Sequence, residues 1–363
     1  MVTQALLAEL NSVLLERQDV TRGVMLGLLA RKHVFLLGPP GTAKSMTVDA
    51  VCARIPDAKR FKLLMTRYTV PDEVVGPLSI PALEAERYKR VTAGYLPEAD
   101  IVFLDEIFKA NSAILNALLG LLNEREYRND GATHKAPLIT CIGASNELPQ
   151  GEDLSALYDR FLLRYYVPYI VEEKSFMTLL TMVETPPTVK LTLAELRAAQ
   201  QAADAVKLDS GIVDAIVELR ARLGAEGITA SDRTWRASVS VLRAEAFLSG
   251  RSAVTRSDLS ILANVLWNDP AERSKVAQKV VSFAQPNVAK ALEMLDIATE
   301  LHKVIVTTVT EKRDGSFYET QAKFRKLQEQ FAASMSTDTD PKVREVATRL
   351  DSMRRSANKA LLV

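Results

Sequence analysis

Eight residues, Gly38-Pro39-Pro40-Gly41-Thr42-Ala43-Lys44-Ser45, constrain this chain more than any others. They lie between an apolar run, His33-Val34-Phe35-Leu36-Leu37, and a helical pattern from Met46 to Ala53. A buried strand, a glycine-rich turn and a helix start are the parts of a phosphate cradle, in which backbone N–H groups point inward at phosphate oxygens. In such a cradle Lys44 reaches the β- and γ-phosphates and Ser45 holds Mg²⁺. The usual pattern is G-x-x-x-x-G-K-[ST], and Ala43 stands where its second glycine belongs. The Cβ of alanine predicts a backbone near the helical region there, rather than at positive φ.

A cradle of this kind needs a parallel sheet behind it, and residues 1–170 supply the pattern. Apolar runs predict strands at His33–Leu37, Arg60–Leu64, Asp100–Leu104, Leu138–Gly143 and Leu162–Val167, with helical patterns filling most of the gaps. Two stretches break the alternation. Residues 78–94 do not read as plain helix, and residues 126–136 carry Asn129-Asp130-Gly131, a strong turn signal. Both read as hairpin-like insertions. Residues 171–269 turn all-helical, with Ser231 and Thr255 as N-cap candidates and Gly224 and Gly250 as stops. Residues 270–363 form a third, mainly helical unit. Its β-branched run Val304-Ile305-Val306-Thr307-Thr308, followed by Arg313-Asp314-Gly315 and Phe317-Tyr318, predicts a β-hairpin over 304–318.

The net charge of +1 over 363 residues gives no global attraction to nucleic acid or anionic membrane. The apolar stretches are too short to span a bilayer, and the amphipathic start lacks the basic end and cleavage site of a signal peptide. Cys52 and Cys141 sit in apolar contexts and read as buried free thiols of a cytoplasmic protein, and the three scattered histidines lack ligand spacing.

The cradle's chemical partners follow in order along the chain. Ile101-Val102-Phe103-Leu104 delivers Asp105 and Glu106 at the C-terminal end of a buried strand, where ligands bind in open α/β sheets. Asp105 suits orientation of Mg²⁺, and Glu106 suits polarising a water that attacks the γ-phosphate. Asn146 closes the next strand, where an amide can bond both the γ-phosphate and that water. Arg160 and Arg164 flank the start of the last strand. An arginine unable to reach its own cradle can neutralise charge in a neighbour's, with Arg160 preferred and Arg164 as rival or helper. Arg233 lies in the first turn of a helix, where a cation opposes the dipole unless it faces phosphate.

This set resembles a AAA+ ATPase, with Walker A, Walker B, sensor 1, arginine finger and sensor 2 in order. Leu64-Met65-Thr66-Arg67-Tyr68, Gly76-Pro77-Leu78-Ser79-Ile80, Gly94-Tyr95-Leu96-Pro97-Glu98-Ala99, Ala144-Ser145-Asn146-Glu147-Leu148-Pro149 and Phe247-Leu248-Ser249-Gly250-Arg251-Ser252-Ala253-Val254 are similar to the MoxR family, specifically its RavA branch. The resemblance covers roughly residues 5–268, and Ala43 is normal for that branch. It implies ATP and Mg²⁺ as ligands, a homo-hexameric ring with nucleotide between subunits, and insertions facing the pore or upper surface. It also implies chaperone-like action on a protein client bearing a von Willebrand factor A domain.

Two other functions compete. A nucleic-acid motor would need a basic, aromatic-rich pore hairpin, whereas the first insertion mixes Glu84, Glu86, Arg87, Lys89 and Arg90. A scaffold that binds ATP without hydrolysing it has no need of both Asp105 and Glu106.

Overall fold

A computed structural model describes residues 2–148, 156–183, 186–308, 315–335, 338 and 340–361. Helices α1 (Val2–Val13) and α2 (Gln18–Ala30) lead into β1 (His33–Leu37). There follow α3 (Lys44–Ala53), β2 (Arg60–Leu64), α4 (Pro71–Val75), α5 (Ile80–Glu84), β3 (Ile101–Asp105) and α6 (Ser112–Glu124). The hairpin β4 (Glu126–Asn129) and β5 (Ala132–Lys135) precedes β6 (Thr140–Ser145) and β7 (Phe161–Tyr166).

The five-stranded sheet is parallel, in the order β2-β3-β6-β1-β7. The inner strands β1 and β6 are buried at every residue, because helices cover both faces; this is why they read as unbroken apolar runs. The edge strand β2 instead alternates between exposed Arg60 and buried Phe61. Three strands are shifted from expectation by one or two residues at both ends. β3 reaches Asp105, so the first acid is the last strand residue; β6 runs 140–145 and β7 runs 161–166.

Register decides what the sheet can bring together. The C-terminal ends of β3, β6 and β1 are neighbours, which gathers Asp105, Asn146 and the cradle after Leu37. Phe161, at the start of β7, pairs with His33 at the opposite end of β1. Residues just before β7 are therefore removed from the cradle by the length of a strand, about 16 Å for five residues.

Both insertions form and hold each other. In the first, Ser79 N donates to Lys89 O (2.8 Å) and Val91 N to Pro77 O (2.8 Å), with α5 at its tip. In the second, Asp130 (φ 54°) and Gly131 (φ 75°) make the two-residue turn that suits strand twist. Arg90 N donates to Asn129 Oδ1 (2.8 Å) and Asn129 Nδ2 to Arg90 O (3.1 Å), while Arg87 pairs with Asp130.

The helical continuation comprises α7 (Glu173–Thr181), α8 (Leu193–Asp204), α9 (Ser210–Ala225), α10 (Asp232–Leu248), a 3₁₀ segment (Arg256–Asn264) and α11 (Pro270–Ala284). Ser231 caps α10, accepting from Thr234 N at 3.1 Å. This lid packs on α2. Arg22 grips Glu245 (Nε to Oε2 2.9 Å) and Ser249, and Gln200 Nε2 donates to Leu28 O (2.8 Å). One apolar core runs from Leu6 to Ala284, and a second, Val288 to Ala357, joins α12 (Pro286–Thr308), α13 (Gly315–Met335) and α14 (Pro341–Leu361).

The expected hairpin over 304–318 is corrected here. Residues 304–308 continue α12 and residues 315–318 open α13; residues 309–314 lie outside the described residues. Ile305 and Phe317 are buried in the second core. Burying such a side chain contributes ~2 kcal/mol. That outweighs the helix reluctance of a β-branched residue, which is at most about 0.7 kcal/mol.

Candidate functional site

The cradle is shaped by what its backbone cannot accommodate. A Cβ at Gly38 would stand 2.2 Å from Val167 O, and Gly41 has φ +76°. Ala43 has φ 65° and ψ 25°, the left-handed region, which overturns the expected helical backbone at this position. The turn itself demands that conformation just before α3. The alanine Cβ makes it costlier by roughly 1–2 kcal/mol.

Lys44 opens α3 and folds back over the loop. Its Nζ donates to Gly38 O (2.6 Å), Pro39 O (2.9 Å) and Asn146 Oδ1 (2.8 Å). Only 7% of the residue is exposed. Burial pushes the ammonium pKa down, and Asp105 and Glu106 oppose that shift. Ser45 Oγ donates to Asp105 Oδ2 at 3.1 Å.

Asn146 bridges cation and acid. Its Oδ1 accepts from Lys44 while its Nδ2 donates to Glu106 Oε1; the other carboxylate oxygen lies 3.4 Å from Lys109 Nζ. Glu106 is also left-handed, at φ 51°, a turn that aims its side chain away from the strand axis. It lines a groove of about 430 Å³ with Arg67, Phe108, Lys109, Asn111 and Glu147. A hydroxyl and a carboxylate oxygen 3.1 Å apart beside the glycine-rich turn are hard oxygen donors of the kind Mg²⁺ takes in nucleotide sites, so the residues fit Mg²⁺ with ATP. Among the described residues no cluster of three or more His, Cys, Asp or Glu could hold a metal on its own.

The three arginines are not with the cradle. Arg164 is 4% exposed and fully engaged within its own chain. It donates to Phe161 O (3.0 Å), Trp267 O (2.7 Å) and Asn268 Oδ1 (2.6 Å), and its guanidinium lies 4.2 Å over the Tyr158 ring. Arg164, expected as a rival or helper finger, ties β7 to Trp267 and Asn268, between the 3₁₀ segment and α11. Arg160 precedes β7 at the far end of the sheet, and its Nε is buried without a hydrogen-bond partner. Burial lowers its pKa, and the like charge of Arg233 lowers it further. Arg233, exposed at the start of α10, thus neighbours Arg160 and not Lys44. Neither arginine forms an ion pair among the described residues, and Asp159 partly offsets the charge on Arg160.

Two contributors escaped the sequence reading. Lys109 follows Glu106 by one helical turn, a spacing common on any surface. Arg17, at the corner between α1 and α2, is 3% exposed and donates from Nε to Thr42 O (3.1 Å) inside the cradle. No local motif marks it.

Comparison with known proteins identifies relatives of the fold. Residues 2–197 match the MoxR domain of MoxR-vWA-beta-propeller ternary systems, and residues 211–280 match a AAA lid domain. An uncharacterized protein of Methanocaldococcus jannaschii is 40% identical over 296 residues, covering 81% of this chain and 79% of its own. Chaperone MoxR1 of Mycobacterium tuberculosis is 25% identical over 277 residues, covering 71% and 72%. A crystal structure from Cytophaga hutchinsonii, described as that of a candidate ATPase, shares the fold with a TM-score of 0.62 at 17% identity, covering 78% of this chain and 93% of its own.

Proposed function

The chain belongs to the MoxR family of AAA+ ATPases, and on that premise we propose that it hydrolyses Mg²⁺-ATP at a site shared between copies to remodel a protein client. The observation that carries this reading is the unbroken bond chain Lys44–Asn146–Glu106, which ties cradle, sensor and acid together across three neighbouring strands. Cradle N–H groups and Lys44 bind the phosphates. Ser45 and Asp105 would hold Mg²⁺, which when bound would offset phosphate charge. Glu106 takes a proton from water as its oxygen attacks the γ-phosphorus; the bond to the ADP oxygen breaks, giving ADP and phosphate. Asn146 orients that water.

Charge developing on the γ-phosphoryl group then calls for an arginine finger in addition to Lys44, and Arg160 and Arg233 lie away from their own cradle. Arg160 and Arg233, a strand's length away, serve a neighbouring copy, and a closed ring such as a hexamer lets every site be completed. The family name supports a client with a von Willebrand factor A domain, and the signature around residues 64–80 supports a RavA-like character. Buried free Cys52 and Cys141 suit a reducing cytoplasm.

Mixing tests the shared site. Arg160→Ala should retain ATP binding and lose turnover by about 10³-fold. Lys44→Ala should lose binding. Mixed together, the two inactive proteins should regain ATPase activity, since one offers an intact cradle and the other an intact arginine. Full activity of Arg160→Ala alone would refute the assignment.

A further inference from the structure

We propose that Arg17 is a positioning residue for the phosphate cradle, setting the direction of an anion-binding N–H through the carbonyl it holds. The inference rests on the nucleotide reading above and adds a residue outside the cradle and its partner strands.

The geometry is specific. Arg17 Nε donates to Thr42 O (3.1 Å), one Nη to Glu16 O (2.7 Å) and the other to Pro168 O (2.7 Å). The guanidinium is thus satisfied by three carbonyls from three chain segments, at 3% exposure, and the neighbouring Glu16 carboxylate attracts it electrostatically without a hydrogen bond to it among the described residues. Burying a cation hydrogen-bonded only to carbonyls is costly even with the Glu16 carboxylate nearby, and retaining one calls for a compensating role.

That role follows from the peptide group. The Thr42–Ala43 bond is trans, as are all others described, so its C=O and the Ala43 N–H point in opposite directions. Drawing the Thr42 carbonyl back toward Arg17 turns the Ala43 N–H toward the cleft, where phosphate oxygens bind. Ala43 is also the residue held at φ 65°, a conformation alanine resists. Here the turn lacks a glycine's freedom, and the Arg17 hydrogen bond opposes the flip that would relieve Ala43. The guanidinium beneath the loop also adds positive charge behind the polyphosphate. The same corner fixes the loop's surroundings: Glu16 accepts from Val171 N (2.9 Å) and Glu172 N (3.0 Å), so adjacent residues pin the segment leaving β7.

A positioning role in the cradle predicts uniform binding of ground state and transition state, hence an effect on affinity and not on the chemical step. In the full-length protein, Arg17→Met should weaken binding of a fluorescent ATP analogue with Mg²⁺ by about tenfold or more and raise KM alike. Its kcat at saturating ATP should stay within about twofold of wild type. Arg17→Lys should recover part of the loss. Millimolar methylguanidinium should restore affinity to Arg17→Ala and leave Lys44→Ala unchanged. Arg17→Met binding as tightly as wild type, a loss in kcat alone, or no response to methylguanidinium overturns the proposal. If Arg17→Met does not fold, a folded Arg17→Lys with wild-type affinity overturns it instead. A wild-type protein that binds no ATP overturns the nucleotide reading, and this inference with it.

Discussion

Arg160 and Arg164 lie four residues apart and have opposite surroundings. The first ends in a buried, unpartnered Nε beside another cation; the second is saturated by carbonyls and a ring. Arg164→Met should therefore lower unfolding free energy by about 2–3 kcal/mol, as orphaned carbonyls remain behind, while ATPase activity per folded molecule is kept. Denaturant titration alongside turnover checks this, and unchanged stability with lost turnover would exchange the two roles. The sequence could not separate them, because both are arginines near one strand end and only register and burial tell them apart. Lys44, Asp105, Glu106 and Asn146 were legible because each closes an apolar run or sits in a linear motif. Arg17 was not, since its partners are backbone carbonyls as far as 151 residues away. The left-handed Ala43 was misjudged because residue type was weighed before the turn's own demand.

Elements were legible where burial is two-sided. Every strand of the parallel sheet could be placed within two residues, and the Asn129-Asp130-Gly131 turn announced its hairpin. The failure lay in residues 304–308, where β-branching was read as strand although a hidden helical face decides the outcome. The sign of two substitutions tests the point. Ile305→Ala should destabilise the C-terminal helices by about 2–4 kcal/mol through the cavity it leaves. Val306→Ala, on the exposed face, should be neutral or slightly stabilising because alanine favours helix. In a hairpin the second change would be destabilising, so thermal melts of both variants discriminate.

At the scale of the whole molecule, folding keeps His33 neutral in the sheet. Its Nδ1 accepts from Cys141 N (2.9 Å) and its Nε2 faces Leu122 O (2.9 Å). Burial pushes its pKa from 6.5 down to about 4. The unfolded chain therefore binds the proton more readily, and this stability is fully present above pH 6.5 and is lost as pH falls from 6.5 toward 4. The loss should total on the order of 3 kcal/mol. Glu9 acts in the same sense at lower pH: its hydrogen bond from Thr188 leads the effects that bring its pKa from 4.5 to about 2, so its contribution fades below pH 4.5. Unfolding midpoints of wild type and His33→Gln between pH 7 and 4 should converge, and parallel curves would count against His33. The attachment of the lid to α2, through Arg22, Glu245 and Gln200, has a mechanical meaning beyond stability. A lid held by these bonds to a helix of its own sheet unit moves with that unit. In the proposed assembly each copy would act as a stiff lever, and the hinge that converts phosphate release into displacement would be the seam between one copy and the next.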